Sequence, residues 1–166
     1  MTLAENLDHL RTPITANERI KGIYPYYGAS GVVDYVEQFI FDDKLLLISE
    51  DGANLLARTS PIAFSVSGKI WVNNHVHVLK FQQSATQLFV ETFLNYIDLS
   101  NYVTGSAQPK LNQSMLNSIP ILYPPISFQL SFANFVKSVE QQKEVFSTRL
   151  SHLETLYKSL MQEYFG

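Results

Sequence analysis

After Pro124-Pro125 the chain continues for about 39 residues without another proline, and with no glycine before the final residue. Apolar residues recur through this stretch with heptad spacing. Val136, Leu150, Tyr157 and Tyr164 hold one position, and Val139, Phe146, Leu153 and Leu160 hold the other; Lys143 alone interrupts the first series. Such a pattern is the seam of a coiled coil, because a 3.5-residue repeat keeps one stripe facing a partner. Ser127, directly behind the prolines, has the side chain of a helix N-cap. At ~1.5 Å per residue the helix would run for roughly 58 Å. That is too long to lie wholly against a domain built from the preceding residues. The spacing predicts a partner helix; a curved helix packed back on its own domain is the alternative.

The preceding residues 1–126 read as one mixed domain. With 46% apolar residues the 166-residue chain can bury a real core. Residues 3–22 form an irregular lead-in broken by Pro13, carrying Arg11, Arg19 and Lys21. Strands are expected at Tyr24–Tyr27, Val32–Phe41 and Leu45–Ser49, from their β-branched and aromatic content. Gly28 and Gly31 would turn the chain after the first, and Asp42-Asp43 after the second. Further strands are expected at Ala63–Val66, Ile70–Asn73 and His75–Phe81, with Ser67-Gly68 as a hairpin signal. A helix follows from Ser84 to about Ile97, with Gln87 completing a capping box and Phe89, Phe93, Tyr96 and Ile97 forming its core stripe. A short helix from Asn112 to about Ser118 would be capped by the Asn112 side chain. The expected class is α+β: a small mixed β-sheet domain with short helices, then one long C-terminal coiled-coil helix.

Several chemistries are weakly supported. The absence of cysteine removes disulfides and thiolate metal sites, and is compatible with a reducing cytoplasm. The N-terminus is neither basic nor followed by an apolar run, and no stretch approaches the ~18 apolar residues of a membrane span. His75 and His77 would share one strand face and could begin a metal site, but neither Glu nor His follows at a natural spacing. No lysine sits two residues beyond Asp42-Asp43 or Glu50-Asp51, as the usual pattern of a Mg-dependent nuclease would have it, and Asp51-Gly52 reads as a turn. Pro124-Pro125 lacks the preceding Asn or Asp of an adenine methyltransferase. No nucleophile–base pair stands out, so a non-catalytic protein is expected.

Nucleic-acid recognition is better served. Asn54, Asn73, Asn74, Gln108, Asn112 and Gln113 place amides at loops and strand ends, where they suit adenine edges. Arg58 and Lys110 could reach guanine or phosphate, with Thr59 and Ser60 beside them. Tyr26 and Tyr27 can pack on sugars or donate to phosphates, and the adjacent glycines let backbone N–H groups approach a phosphate. The charge balance opposes tight binding by the chain alone. Residues 1–126 hold 8 Lys+Arg against 11 Asp+Glu, and residues 127–166 hold 4 against 4. Phosphate neutralisation supplies most non-specific affinity, so a larger partner is expected to make many of those contacts.

Four segments occur in an order that resembles the specificity subunits of type I restriction-modification systems. They are Tyr24-Pro25-Tyr26-Tyr27-Gly28-Ala29-Ser30-Gly31, Ser49-Glu50-Asp51-Gly52-Ala53-Asn54, Trp71-Val72-Asn73-Asn74-His75 and Gly105-Ser106-Ala107-Gln108-Pro109-Lys110-Leu111-Asn112. The resemblance implies a target-recognition domain, 1–126, that reads half of a bipartite double-stranded DNA site in the major groove. It also implies a spacer and dimerisation helix, 127–166. Tyr26, Tyr27, Ser30, Asn54, Arg58, Asn73, Asn74, His75, Ser106, Gln108, Lys110 and Asn112 are the implied DNA-binding set, with the shared motifs building scaffold and holding phosphates and base readers expected partly among residues between them, such as Arg58, Thr59 and Ser60. Methylation subunits, and restriction subunits for cleavage, are the implied partners. S-adenosylmethionine, Mg and ATP are expected only in those partners, and no cofactor in this chain.

Such subunits usually carry two recognition domains and two long helices, whereas this sequence carries one of each. A short subunit that homodimerises through its helix would restore the architecture; a fragment of a longer chain would not need to. A regulatory or decoy module that binds methylation or specificity subunits is the alternative from another class.

Overall fold

The computed structural model describes residues 3–105 and 107–166. They divide into two compact units, Met1–Pro124 and Pro125–Gly166. The first unit is built on a sheet of six strands among the described residues: β1 (Glu5–Asn6), β2 (Lys21–Gly28), β3 (Gly31–Val36), β4 (Phe41–Ser49), β5 (Ala63–Val72) and β6 (Val76–Lys80). Their order across the sheet is β1-β6-β4-β5-β2-β3. Neighbours are antiparallel except β2 and β5, which run parallel through Tyr26–Trp71 and Tyr27–Val72. Helix α1 (Asn54–Ala57) interrupts the β4–β5 connection, and α2 (Ser84–Tyr96) and α3 (Gln113–Ser118) follow the sheet.

Central strand β4 explains the architecture. Its run Leu45-Leu46-Leu47-Ile48 is fully buried on both faces, which is why it reads as continuous rather than alternating. Leu45 and Leu47 join Phe41, Ile70, Val72, Val76 and Val78 in one core. Leu46 and Ile48 join Leu55, Val90, Leu94, Leu99 and Leu116 in the other, beneath the helices.

The sheet is also strongly coiled. Ile70 pairs with Phe41 at the start of β4, whereas Val76 pairs with Ser49 at its end. A nine-residue strand spans about 27 Å if flat, yet Val72 reaches Val76 in four steps, at most about 14 Å. Only a coiled sheet brings those ends together, and the first core fills the inside of the curl.

Several local expectations are corrected. Asp42 and Asp43 are not a turn; they pair with Lys69 and Gly68 inside β4. The expected strand at Val32–Phe41 ends at Val36, and Phe41 opens β4. Ser67-Gly68 makes no hairpin, because β5 runs through it with Gly68 at φ +83°. Gln87 forms no capping box: buried, it donates to the Leu45 carbonyl and Ser65 Oγ. Of the expected α2 stripe, Phe93 and Ile97 are partly buried against the core but Tyr96 is 89% exposed, and the buried residues are Ala85, Thr86, Gln87, Val90 and Leu94. Asn112 does cap α3, its Oδ1 accepting from the Met115 N–H at 3.0 Å.

The second unit is α4 (Ile126–Phe165), a 40-residue helix. Its N-cap position is Pro125, so Ser127 is the second residue of the helix rather than its cap. Proline suits this end because its fixed φ and missing N–H cost nothing before the first turn. All residues from Glu140 onward are exposed, including Phe146, Leu150, Leu153, Tyr157, Leu160 and Tyr164 of the heptad seam. Val136 and Val139 are half-buried.

Candidate nucleic-acid interface

Four turns that are distant in sequence meet at one end of the coiled sheet. Gly31 adopts φ +105°, a conformation that suits glycine, and so turns β2 into β3. Gly28 lies so close to Asn73 that an added Cβ would sit 3.1 Å from Asn73 Nδ2. The Asn73 N–H donates to the Tyr27 carbonyl at 3.0 Å, and Ser49 Oγ donates to the Ala29 carbonyl at 2.6 Å. Glu50 N–H donates to the His75 carbonyl, Gly52 N–H to the Pro109 carbonyl, and Leu111 N–H to the Glu50 carbonyl. Backbone pairing of Asp51 with Lys110, and of Thr104 with Lys110, fixes the last turn.

The predicted contact residues divide by what they already hold. Ser30, Asn74, His75, Gln108 and Lys110 are exposed on these turns. His75 Nδ1 donates to Asp51 Oδ2 at 2.7 Å, which leaves Nε2 outward on a ring 48% exposed. Lys110 Nζ lies 3.1 Å from Glu50 Oε1 and keeps further N–H groups for another acceptor. Asn74 and Gln108 offer amides able to donate and accept. Ser106 lies outside the described residues.

The others are engaged in building the domain. Tyr26 is 1% exposed, its hydroxyl accepting from Ile14 N–H and donating to the Ile14 carbonyl, with the Arg19 guanidinium 4.4 Å from its ring centre. Tyr27 packs on Phe64, and burial together with the neighbouring Tyr35 raises its phenol above its ordinary value of 10.0. Asn54 closes the loop after α1 by donating to the Ser60 carbonyl and accepting from Thr59 Oγ1 and Ser60 N–H. Arg58 adopts φ +53° and turns its guanidinium onto the Leu94 and Ile97 carbonyls at the end of α2. Asn73 accepts from His75 N–H, and Asn112 caps α3.

Behind the turns lies a charge cluster that the sequence reading only partly saw. Arg11 donates to Glu50 Oε2 at 2.6 Å and to the Val76 carbonyl at 2.8 Å, and lies 3.6 Å from Asp8. Burial pushes the Asp8 and Glu50 carboxyls up, but their bonds outweigh it and both sit below their ordinary values. Asp8 is held by His77 and the Val78 N–H, and Glu50 by Arg11, Lys110 and the His77 charge. Buried charges need such pairing. The legible signal was His77 itself, a polar residue flanked by Val76 and Val78.

The paired-histidine metal reading fails on geometry. β6 begins at Val76, so His75 belongs to the turn and points out while His77 is wholly buried. No cluster of three His, Cys, Asp or Glu suited to a metal occurs among the described residues. No described helix is long and apolar enough to cross a membrane.

Comparison with known proteins agrees with this architecture. Residues 5–155 match the type I restriction modification DNA specificity domain. A type I restriction enzyme specificity subunit of Haemophilus influenzae is 33% identical over 137 residues, covering 82% of this chain and 35% of that protein. The EcoprrI specificity subunit of Escherichia coli is 27% identical over 111 residues, covering 67% and 26%. The crystal structure of the S subunit from M. genitalium superposes with a TM-score of 0.60 at 17% identity, over 98% of this chain and 45% of that one, a likeness of fold. The chain thus spans about a third or less of the curated relatives' length. With the match extending from β1 into α4, this chain belongs to the type I restriction-modification DNA specificity family.

Proposed function

We propose that this chain is a half-specificity subunit: its first unit reads one half-site of double-stranded DNA, and α4 pairs with a second copy. The observation that carries the reading is the junction of Ser30, Asn74, His75, Gln108 and Lys110 at one end of the sheet. Exposed amides beside a lysine suit base edges flanked by phosphate. The bare seam of α4 supports pairing, since six of its eight large apolar side chains are exposed in one chain. A two-fold dimer would present two identical readers, so its site would be an inverted repeat with a fixed spacer. Methylation of adenine, and cleavage, would fall to methylation and restriction subunits bound to it in the cytoplasm.

Selection from a randomised duplex library by the full-length chain tests this. Two inverted copies of one short motif at constant spacing are expected; recovery of unenriched sequence would contradict it.

One observation favours the regulatory alternative. Arg11, Arg19 and Lys80 are ion-paired and Arg58 is turned onto carbonyls, so half of the first unit's eight cations are already engaged. A chain that binds methylation subunits stably yet enriches no sequence would be such a decoy.

A further inference from the structure

His77 is completely buried and touches two segments far from it in sequence. Its Nε2 lies 2.7 Å from the Leu111 carbonyl, and its Nδ1 lies 2.6 Å from Asp8 Oδ2. The Leu111 carbonyl accepts, so Nε2 donates to it, and Nδ1 faces the Asp8 carboxylate. The charged groups facing the ring are Asp8 from the N-terminal segment and Glu50, 3.9 Å away, from the end of β4. Arg11 and Lys110 close the cluster through Glu50. Leu111 is itself fixed to β4 by its N–H bond to the Glu50 carbonyl at 2.7 Å.

The loop held this way carries Gln108 and Lys110, and the strand that carries His77 begins just after Asn74 and His75. Resting on the DNA-recognition reading above, we infer that His77 is a positioning residue for base reading. Through the Leu111 carbonyl it ties the loop presenting Gln108 and Lys110 to its own strand, which begins just after Asn74 and His75, while Asp8, which also accepts from the Val78 N–H, holds the ring in place. It acts from below the surface and touches no DNA. A histidine that merely filled the core would stabilise loop and sheet alike.

The test uses the full-length chain with His77→Leu, His77→Gln and Asp8→Asn. Amide exchange by NMR compares Leu111 and Gly52, whose N–H groups bind Glu50 and Pro109 carbonyls, with Leu46 and Ile48 in β4. His77→Leu should speed exchange at the loop amides by roughly tenfold or more, the effect of leaving the buried Leu111 carbonyl unpaired. The β4 amides should follow only the change in global stability. His77→Gln, keeping a donor, should recover part of the protection. Selection from the same library should give a blurred motif with unchanged affinity for bulk duplex. If His77→Leu does not fold, Asp8→Asn carries the comparison. Loop and β4 amides moving in step, or a motif as sharp as that of the unsubstituted chain, would overturn the inference. If the unsubstituted chain enriches no sequence, the recognition reading falls, while the exchange comparison still decides whether His77 holds the loop.

Discussion

The Ser49 hydroxyl donates to the Ala29 carbonyl at 2.6 Å, joining the β2–β3 turn to the far end of the central strand. Ser49 is 1% exposed, so this bond lies beneath the surface that bears Ser30. It shows how the domain assembles a surface from separated motifs. Buried members of the separated motifs tie the turns, and exposed side chains on the same turns face outward.

Pairing through α4 is tested at its seam. Leu153 is 63% exposed and lies mid-seam. Leu153→Asp should convert a dimer to monomer in sedimentation velocity and leave the melting of the first unit unchanged. A dimer that survives would exclude this seam. Lys143→Leu, which removes the polar break in the seam, should change the oligomer distribution if that break selects the register.

Acid should weaken the first unit through Asp8 and Glu50. Both carboxyls have folded values lowered from the ordinary 3.8 and 4.5. Their contribution is fully present above those ordinary values and is lost as pH falls through the lowered ones. Urea midpoints should therefore drop below about pH 4. The Asp8→Asn, Glu50→Gln double variant should start lower at neutral pH and decline less steeply. Parallel declines would refute the assignment.

Arg58 should govern stability rather than sequence choice. Arg58→Ala removes the donors at the end of α2 and should cost about 1–2 kcal/mol in denaturant unfolding. Arg58→Gly should recover a few tenths to about 1 kcal/mol of that, because glycine accepts φ +53° without strain. An altered DNA motif at unchanged stability would make Arg58 a base reader instead.

Two amides four residues apart should behave oppositely. Asn112→Ala deletes the α3 cap and should cost about 1 kcal/mol. Gln108→Ala, on an exposed turn, should shift stability by less than about 0.5 kcal/mol and relax base preference. The reverse pattern would contradict the division between builders and readers.

The sequence made the periodic features legible. The long helix, the Asn112 cap and most strands follow from spacing and residue preference, because those signals are local. Coiling of the sheet was not legible, since it depends on Phe41 and Ser49 pairing with opposite ends of two other strands. Gln87 and Arg58 misled for the same reason. Their side chains serve carbonyls 42 and 36 residues away, contacts that no window of neighbouring residues contains. The family motifs named the neighbourhood, but only the fold separates Asn54, which closes its own loop, from Asn74, which is exposed.

The most direct measurement is long-read mapping of N6-methyladenine in cells co-expressing this chain with a candidate type I methylation subunit. The account predicts a new bipartite motif with two identical inverted halves and a fixed spacer, lost when this chain is omitted and lost with Leu153→Asp. An asymmetric motif, or a stable complex that methylates no new motif, would contradict it.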